Sequence, residues 1–221
     1  DALPIYDSLQ QHVNSHASAS VSVLGTVSEG NDQDTSRFEV ALRAKRASEE
    51  GLNLFNSKPR KGIEYLIANG RLERDAKAVA LYLSRTESLD ATMVGEYLGE
   101  SDSFCVSVMH AYTDLKSMTG MTFDGALRMY LSGFRLPGES QKIDRILEKF
   151  ASRYCECNPG NFANAEAAFI LSYSTIMLHT DAHNQMVKKK MTKDEFVRNN
   201  RGINDSGDLP YDLLSDLYDR T

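Results

Sequence analysis

Glu139 is the acid in this sequence whose neighbours frame it as though for use. It lies in the run Phe134-Arg135-Leu136-Pro137-Gly138-Glu139-Ser140-Gln141-Lys142-Ile143-Asp144-Arg145, between two stretches of helical periodicity. Pro137 forbids helix continuation and disfavours helical backbone at Leu136. Gly138 gives the chain freedom to turn, and an apolar-periodic helix resumes from Ile143 to Tyr154. A carboxylate on so tight and exposed a loop can be pressed into a partner as a fixed negative charge. It can equally be an ordinary first-turn acid, favoured there by the helix dipole.

A second constellation lies downstream. Phe169, Tyr173, Ile176, Met177, Thr180 and Asn184 are spaced to form one continuous stripe along a helix expected over 162–182. Ala165, Ala168, Leu171 and Leu178 make the other faces apolar as well, so the middle of this helix reads as core. Toward Asp181-Ala182-His183-Asn184 the stripe gains polarity, as the lip of a groove does. Methionine and aromatic side chains also suit partner-binding surfaces.

Other chemistries find less support. His179 and His183, one helical turn apart, could ligate zinc, but Thr180 stands where a zincin motif requires Glu, and no third ligand has convincing spacing. His12 and His16 repeat that spacing nearer the N-terminus. No metal is expected. Cys155-Glu156-Cys157 lacks the Cys-x-x-Cys spacing, and Asn204-Asp205-Ser206-Gly207-Asp208 fails the calcium-loop ligand order, reading instead as a turn before a helix opened by Pro210. Lys188-Lys189-Lys190 reads as a solvated helix end, or as a contact for an acidic partner or lipid headgroups. No Gly-rich phosphate loop, nucleophile elbow or Ser/His/Asp set stands out, so covalent catalysis is not expected.

The elements that must hold these residues are helical. From Ser36 onward, caps and breakers divide the chain: Asn56-Ser57-Lys58-Pro59, Arg74 or Asp75, Ser88 or Asp90, Gly99, Ser101-Asp102 and Thr122. Further helices are expected at 140–155, 162–182, 192–200 and 210–220, about ten with no sheet. Phe38, Ala41 and Leu42 start a stripe continued by Leu52 and Phe55, with Lys45 interrupting it. Residues 1–35 read as an N-terminal arm: a short helix around Tyr6–His16, mobile chain, then a turn or linker at Gly30-Asn31-Asp32-Gln33-Asp34. Because residue 1 is Asp, the chain is expected to be a piece of a larger protein.

Composition limits the functions further. The formal charge of −6 over 221 residues argues against general nucleic-acid binding. Three cysteines, an odd number, read as reduced thiols of a cytosolic protein. No stretch is long and apolar enough to cross a bilayer.

The Phe134–Arg145 run resembles the first signature of the Sec-seven domain, the catalytic module of guanine-nucleotide exchange factors for Arf GTPases. Ile176-Met177-Leu178-His179-Thr180-Asp181-Ala182-His183-Asn184 resembles its second, and Phe55–Ile63, Val94–Gly99 and Asn200–Asp205 are also similar to that family. The resemblance runs from about Arg37 to the end and is nearest to the large trans-Golgi subfamily. It implies an all-α, right-handed superhelix with a hydrophobic groove, Sec-seven residues 36–221, and an Arf-family GTPase as partner. It also implies Glu139 as the glutamic finger, on a loop supported by Arg135, Pro137, Gly138 and Asp144. Tyr173, Ser174, Asp181 and Met191 match positions associated with brefeldin A, while Thr175, His179 and Ala182 depart from the usual pattern. No cofactor of its own is implied, since the GTPase carries GDP or GTP and magnesium. The implied place is the cytoplasmic face of Golgi membranes, touched peripherally. The remaining alternatives are a helical scaffold without exchange activity and, more distantly, a zinc hydrolase.

Overall fold

A computed structural model describes residues 30–221, with side chains from Ser36 onward. The expected helix around Tyr6–His16 lies outside the described residues. Ten helices follow: α1 Gly30–Phe55, α2 Pro59–Ala68, α3 Ala76–Arg85, α4 Ala91–Leu98, α5 Ser103–Asp114, α6 Phe123–Leu131, α7 Ser140–Cys157, α8 Ala165–His183, α9 Lys193–Asn199 and α10 Tyr211–Asp219. Among the described residues the only β pairing is an isolated bridge between Asn204 and Gly207. The fold is all-α.

Local chemistry sets most boundaries where the sequence placed them. Asp75, Asp90, Asp102, Thr122, Asn164 and Thr192 each stand at an N-cap and accept backbone N–H bonds with their side chains. Each such cap stabilises its helix by about 1 kcal/mol. Pro59 opens α2 at its first helical position instead of merely ending α1.

The chain divides into two compact units between Leu42 and Arg43. In the first, α1 already runs through Gly30–Asp34, which corrects the expected turn or linker. Acidic and amide side chains suit an opening helical turn as well as they suit a loop. The Phe38, Ala41 and Leu42 stripe is exposed, Phe38 by 68%. Periodicity gives a helix an apolar face without supplying anything to cover it.

The second unit holds the core. No side chain from Arg43 to Glu50 is buried, so burial along α1 begins at Gly51 and ends on Phe55. Helices then pack mostly on their next neighbour or the one after, α3 on α5, α4 on α5, α5 on α7, α6 on α7 and α7 on α8, while α4 also meets α7. Each helix thereby covers the apolar stripe of another, as in a superhelical stack. The centre is aromatic. Phe123, Tyr130, Phe134, Phe150 and Tyr154 are all buried, with Phe123–Tyr154 edge to face at 5.1 Å and Tyr130–Phe150 stacked at 5.3 Å.

Loops are tied as firmly as helices. Asn158, at the end of α7, accepts from Gly120 N at 2.8 Å and donates to Met118 O at 2.9 Å. Asp205 and Ser206 both have positive φ between paired Asn204 and Gly207, which makes a tight primed turn. Asn204 Oδ1 also accepts from Ala163 N at 2.8 Å, just ahead of α8. The segment is a turn before α10, as its sequence suggests.

Candidate functional site

The loop from Gly133 to Glu139 is anchored along its length. Phe134 is buried edge to face against Tyr130 at 5.3 Å and Tyr112 at 6.0 Å. Arg135 N donates to Ala91 O at 2.9 Å, and Pro137 is buried. Beneath the loop lies α4, and its glycines explain the close approach. A Cβ on Gly95 would lie 1.7 Å from Arg135 O, and one on Gly99 would lie 2.7 Å from Lys142 Cβ. Gly99 ends α4 in right-handed backbone, so its smallness serves packing and not a left-handed cap.

Gly138 behaves otherwise. It is absent from the positive-φ glycines, and an added Cβ would meet nothing within 4 Å. The turn expected to need its freedom is made by Pro137 and the anchored residues before it. Within the free chain a side chain would fit there.

Glu139 occupies the N-cap of α7 yet makes no side-chain cap bond. Glutamate is a poor capping residue, and every Asp, Thr or Asn cap named above turns its oxygen back onto its helix. Glu139 instead stays 72% exposed, with Oε1 3.5 Å from Lys142 Nζ. That ammonium is already held by Glu96 Oε2 at 2.6 Å and Glu100 Oε1 at 3.0 Å. Burial pulls the Lys142 pKa down, but the bonds from Glu96 and Glu100 outweigh it and the net shift is upward. One permanent cation thus faces three carboxylates, and Glu139 is the farthest of the three.

Five residues on, Asp144 accepts a hydrogen bond from the Tyr173 hydroxyl and ties α7 to α8. At about 1.5 Å rise per residue this tie lies roughly 7 Å along α7 from the carboxylate-bearing end. Burial, then the hydrogen bond and charge of Asp144, push the Tyr173 pKa up to about 12.

The α8 stripe rises from core to solvent. Phe169 and Tyr173 are half-buried and edge to face at 5.4 Å, Ile176 is half-buried, Met177 is 62% exposed, and Thr180 and Asn184 are exposed. Ala168, Leu171, Ser172, Thr175 and Leu178 form the core face. Ile176 and Thr180 line a cleft of about 310 Å³, whose opposite wall is Leu127, Arg128 and Leu131 of α6. Sequence reasoning missed that wall, because nothing in the α6 sequence says which helix faces it.

Asn184 caps the end of α8, and its Oδ1 accepts from Met186 N at 3.0 Å. Asp181 Oδ2 accepts from Met191 N at 2.7 Å, and Ser174 Oγ accepts from Asn200 Nδ2 at 2.8 Å. Lys190 is no solvated helix end: its ammonium donates to Asp181 O at 2.5 Å and Asn184 O at 2.7 Å, completing the terminus of α8. His179 and His183 stack at 4.2 Å, and burial, then the charges of His183 and Arg128, hold His179 below the ordinary histidine pKa. Among the described residues no group of three or more His, Cys, Asp or Glu is placed to hold a metal ion.

The family model described as "Sec7 domain" matches residues 44–221. Brefeldin A-inhibited guanine nucleotide-exchange protein 2 of Arabidopsis thaliana is 50% identical over 212 residues, covering 95% of this chain and 12% of that protein. Brefeldin A-inhibited guanine nucleotide-exchange protein 1 of Homo sapiens is 50% identical over 211 residues, covering 93% and 11%. The chain therefore spans only a small part of those relatives. The crystal structure of the Sec7p catalytic domain aligns with a TM-score of 0.73 at 47% identity, over 78% of this chain and 94% of that one. A Sec7 domain bound to ARF1-GDP and complexed with brefeldin A aligns with a TM-score of 0.74 at 36% identity, over 81% and 92%.

Proposed function

This chain belongs to the Sec7-domain family, and on that premise we propose that it promotes GDP release from an Arf-family small GTPase. The observation that carries the reading is the state of Glu139: at an N-cap without capping, 72% exposed, on an anchored loop. In this reading the stripe of Phe169, Tyr173, Ile176, Met177, Thr180 and Asn184 takes the switch regions of the GTPase. Docking carries Glu139 into the site of the magnesium ion and β-phosphate. Arg135 and Pro137 hold the loop, Asp144 ties α7 behind it to α8, and Gly138 leaves room at its tip.

The finger acts by charge. Two like charges about 4 Å apart repel by about 4 kcal/mol at an effective dielectric of about 20. Acting fully on the bound nucleotide, that is roughly a thousandfold in its release. The protein itself makes and breaks no covalent bond and holds no cofactor. The nucleotide and magnesium belong to the partner.

Two further assignments belong to the same reading. Tyr173, Ser174, Asp181 and Met191 form a brefeldin A contact across α8 and the loop after it, supported by the names of the relatives and by the bonds that join Asp181 to Met191. The longer protein acts at the cytoplasmic face of Golgi membranes. In this reading its contact there is peripheral; no helix among the described residues is long and apolar enough to cross a membrane. The test of the main reading is Glu139→Lys. It should still form the complex with Arf–GDP while release of a fluorescent nucleotide falls to the spontaneous rate. If the parent binds Arf–GDP but leaves release at the spontaneous rate, and Glu139→Gln changes neither quantity, the domain is a scaffold instead.

A further inference from the structure

We propose that Glu96 and Glu100 are positioning residues for the finger: by occupying the Lys142 ammonium, they keep Glu139 from being neutralised by it. The proposal rests on Glu139 acting through its charge, as argued above. Its physical basis is a competition. An ammonium has three N–H donors, and the two shortest contacts, 2.6 Å and 3.0 Å, go to Glu96 and Glu100. Glu139, at 3.5 Å, receives only an ion-pair contact of longer reach.

The placement is built in. Lys142 is 12% exposed, and Glu96 and Glu100 are about one-third exposed, so these three are screened less than Glu139. The stem of Lys142 lies against Gly99, where a Cβ would come within 2.7 Å of Lys142 Cβ. Arg145 donates to Gly99 O at 2.5 Å and fixes the same face of α4 against α7. The ammonium is therefore held closer to Glu96 and Glu100, at 2.6 Å and 3.0 Å, than to Glu139 at 3.5 Å. Two negative charges of the cluster stay uncompensated, and the exposed one is the finger. Without Glu96 and Glu100, Lys142 would face Glu139 as its sole carboxylate, and the finger would enter the partner partly neutralised.

The experiment measures GDP release from Arf, with Glu139→Gln as reference. Glu96→Gln with Glu100→Gln should slow release about fivefold, the scale of one partly screened ion pair, with affinity for nucleotide-free Arf unchanged. Adding Lys142→Met should restore the parental rate, although every ion pair between α4 and α7 is then gone. A purely structural clamp would not be rescued in this way. Parental release by the double variant overturns the proposal, as does a triple variant that stays slow. If Glu139→Gln itself releases nucleotide at the parental rate, the finger reading is what fails. If Glu139→Gln is inactive while the double variant is unaffected, only the present proposal fails. Should the double variant not fold, Glu100→Gln alone carries the same test with a smaller effect of the same sign.

Discussion

Replacing Gly95 by alanine should disable exchange from a position that touches no partner. The new Cβ would be placed 1.7 Å from Arg135 O and 2.9 Å from its carbonyl carbon. Carbon–oxygen contacts close to about 3.3 Å, so the carbonyl must retreat by about 1.5 Å. The neighbour is backbone and cannot rotate aside. The retreat also strains the bond from Arg135 N to Ala91 O, 2.9 Å long, which pins the loop leading to Glu139. Displacing a reacting group by about 1 Å costs on the order of a hundredfold in rate. The stability cost is smaller: overpacking destabilises by about 1–3 kcal/mol, offset by about 1 kcal/mol for alanine over glycine in a helix. Nucleotide release should therefore fall 10- to 100-fold, by the same geometric argument. Affinity for nucleotide-free Arf should hold, because Ile176 and Met177 come from α8. Thermal melting and a titration against Arf separate the three quantities. Parental release by a folded Gly95→Ala variant would refute the claim that α4 sets the finger. Gly138→Ala is the contrast: with nothing within 4 Å of its Cβ, its melting temperature should hold or rise slightly, and a fall would show that the loop needs glycine for its own fold.

Two further expectations come from α8. Met177→Ala should change folding stability by less than about 0.5 kcal/mol, since the side chain is 62% exposed, yet weaken binding to nucleotide-free Arf by about 1 kcal/mol or more; unchanged affinity by titration would remove Met177 from the interface. Tyr173 gives a pH dependence. Its folded pKa is raised to about 12 from an ordinary 10.0, so its contribution to stability is whole below pH 10 and is lost as pH rises toward 12. Alkaline denaturation of the parent should steepen in that window, while Tyr173→Phe should lack this component; identical profiles would contradict the Asp144 tie.

What the sequence made legible was mostly local. The cap at Thr122, the caps at Asp75, Asp90 and Asp102, each from a pair of neighbouring candidates, and the polarity gradient along α8 all depend on neighbours within a few residues, and they stand in the structure. What stayed hidden depends on chain segments brought together by folding. Lys142 meets Glu96 from 46 residues away, and Arg128 and Leu131 face Ile176 across a cleft. One signal was present and unused: Gly95 lies inside a short helix, where glycine costs about 1 kcal/mol unless something must come close. The local reading also erred where it relied on residue type alone. Gly138 was assigned a turn it does not need, and Gly30–Asp34 a turn that is helix.

The most direct test is the rate of fluorescent GDP release from Arf in the presence of saturating Glu139→Lys protein, with complex formation measured on the same sample. An intact complex with release at the spontaneous rate is the expected result. An intact complex that still releases GDP as fast as the parent would mean that the exposed carboxylate does not drive exchange.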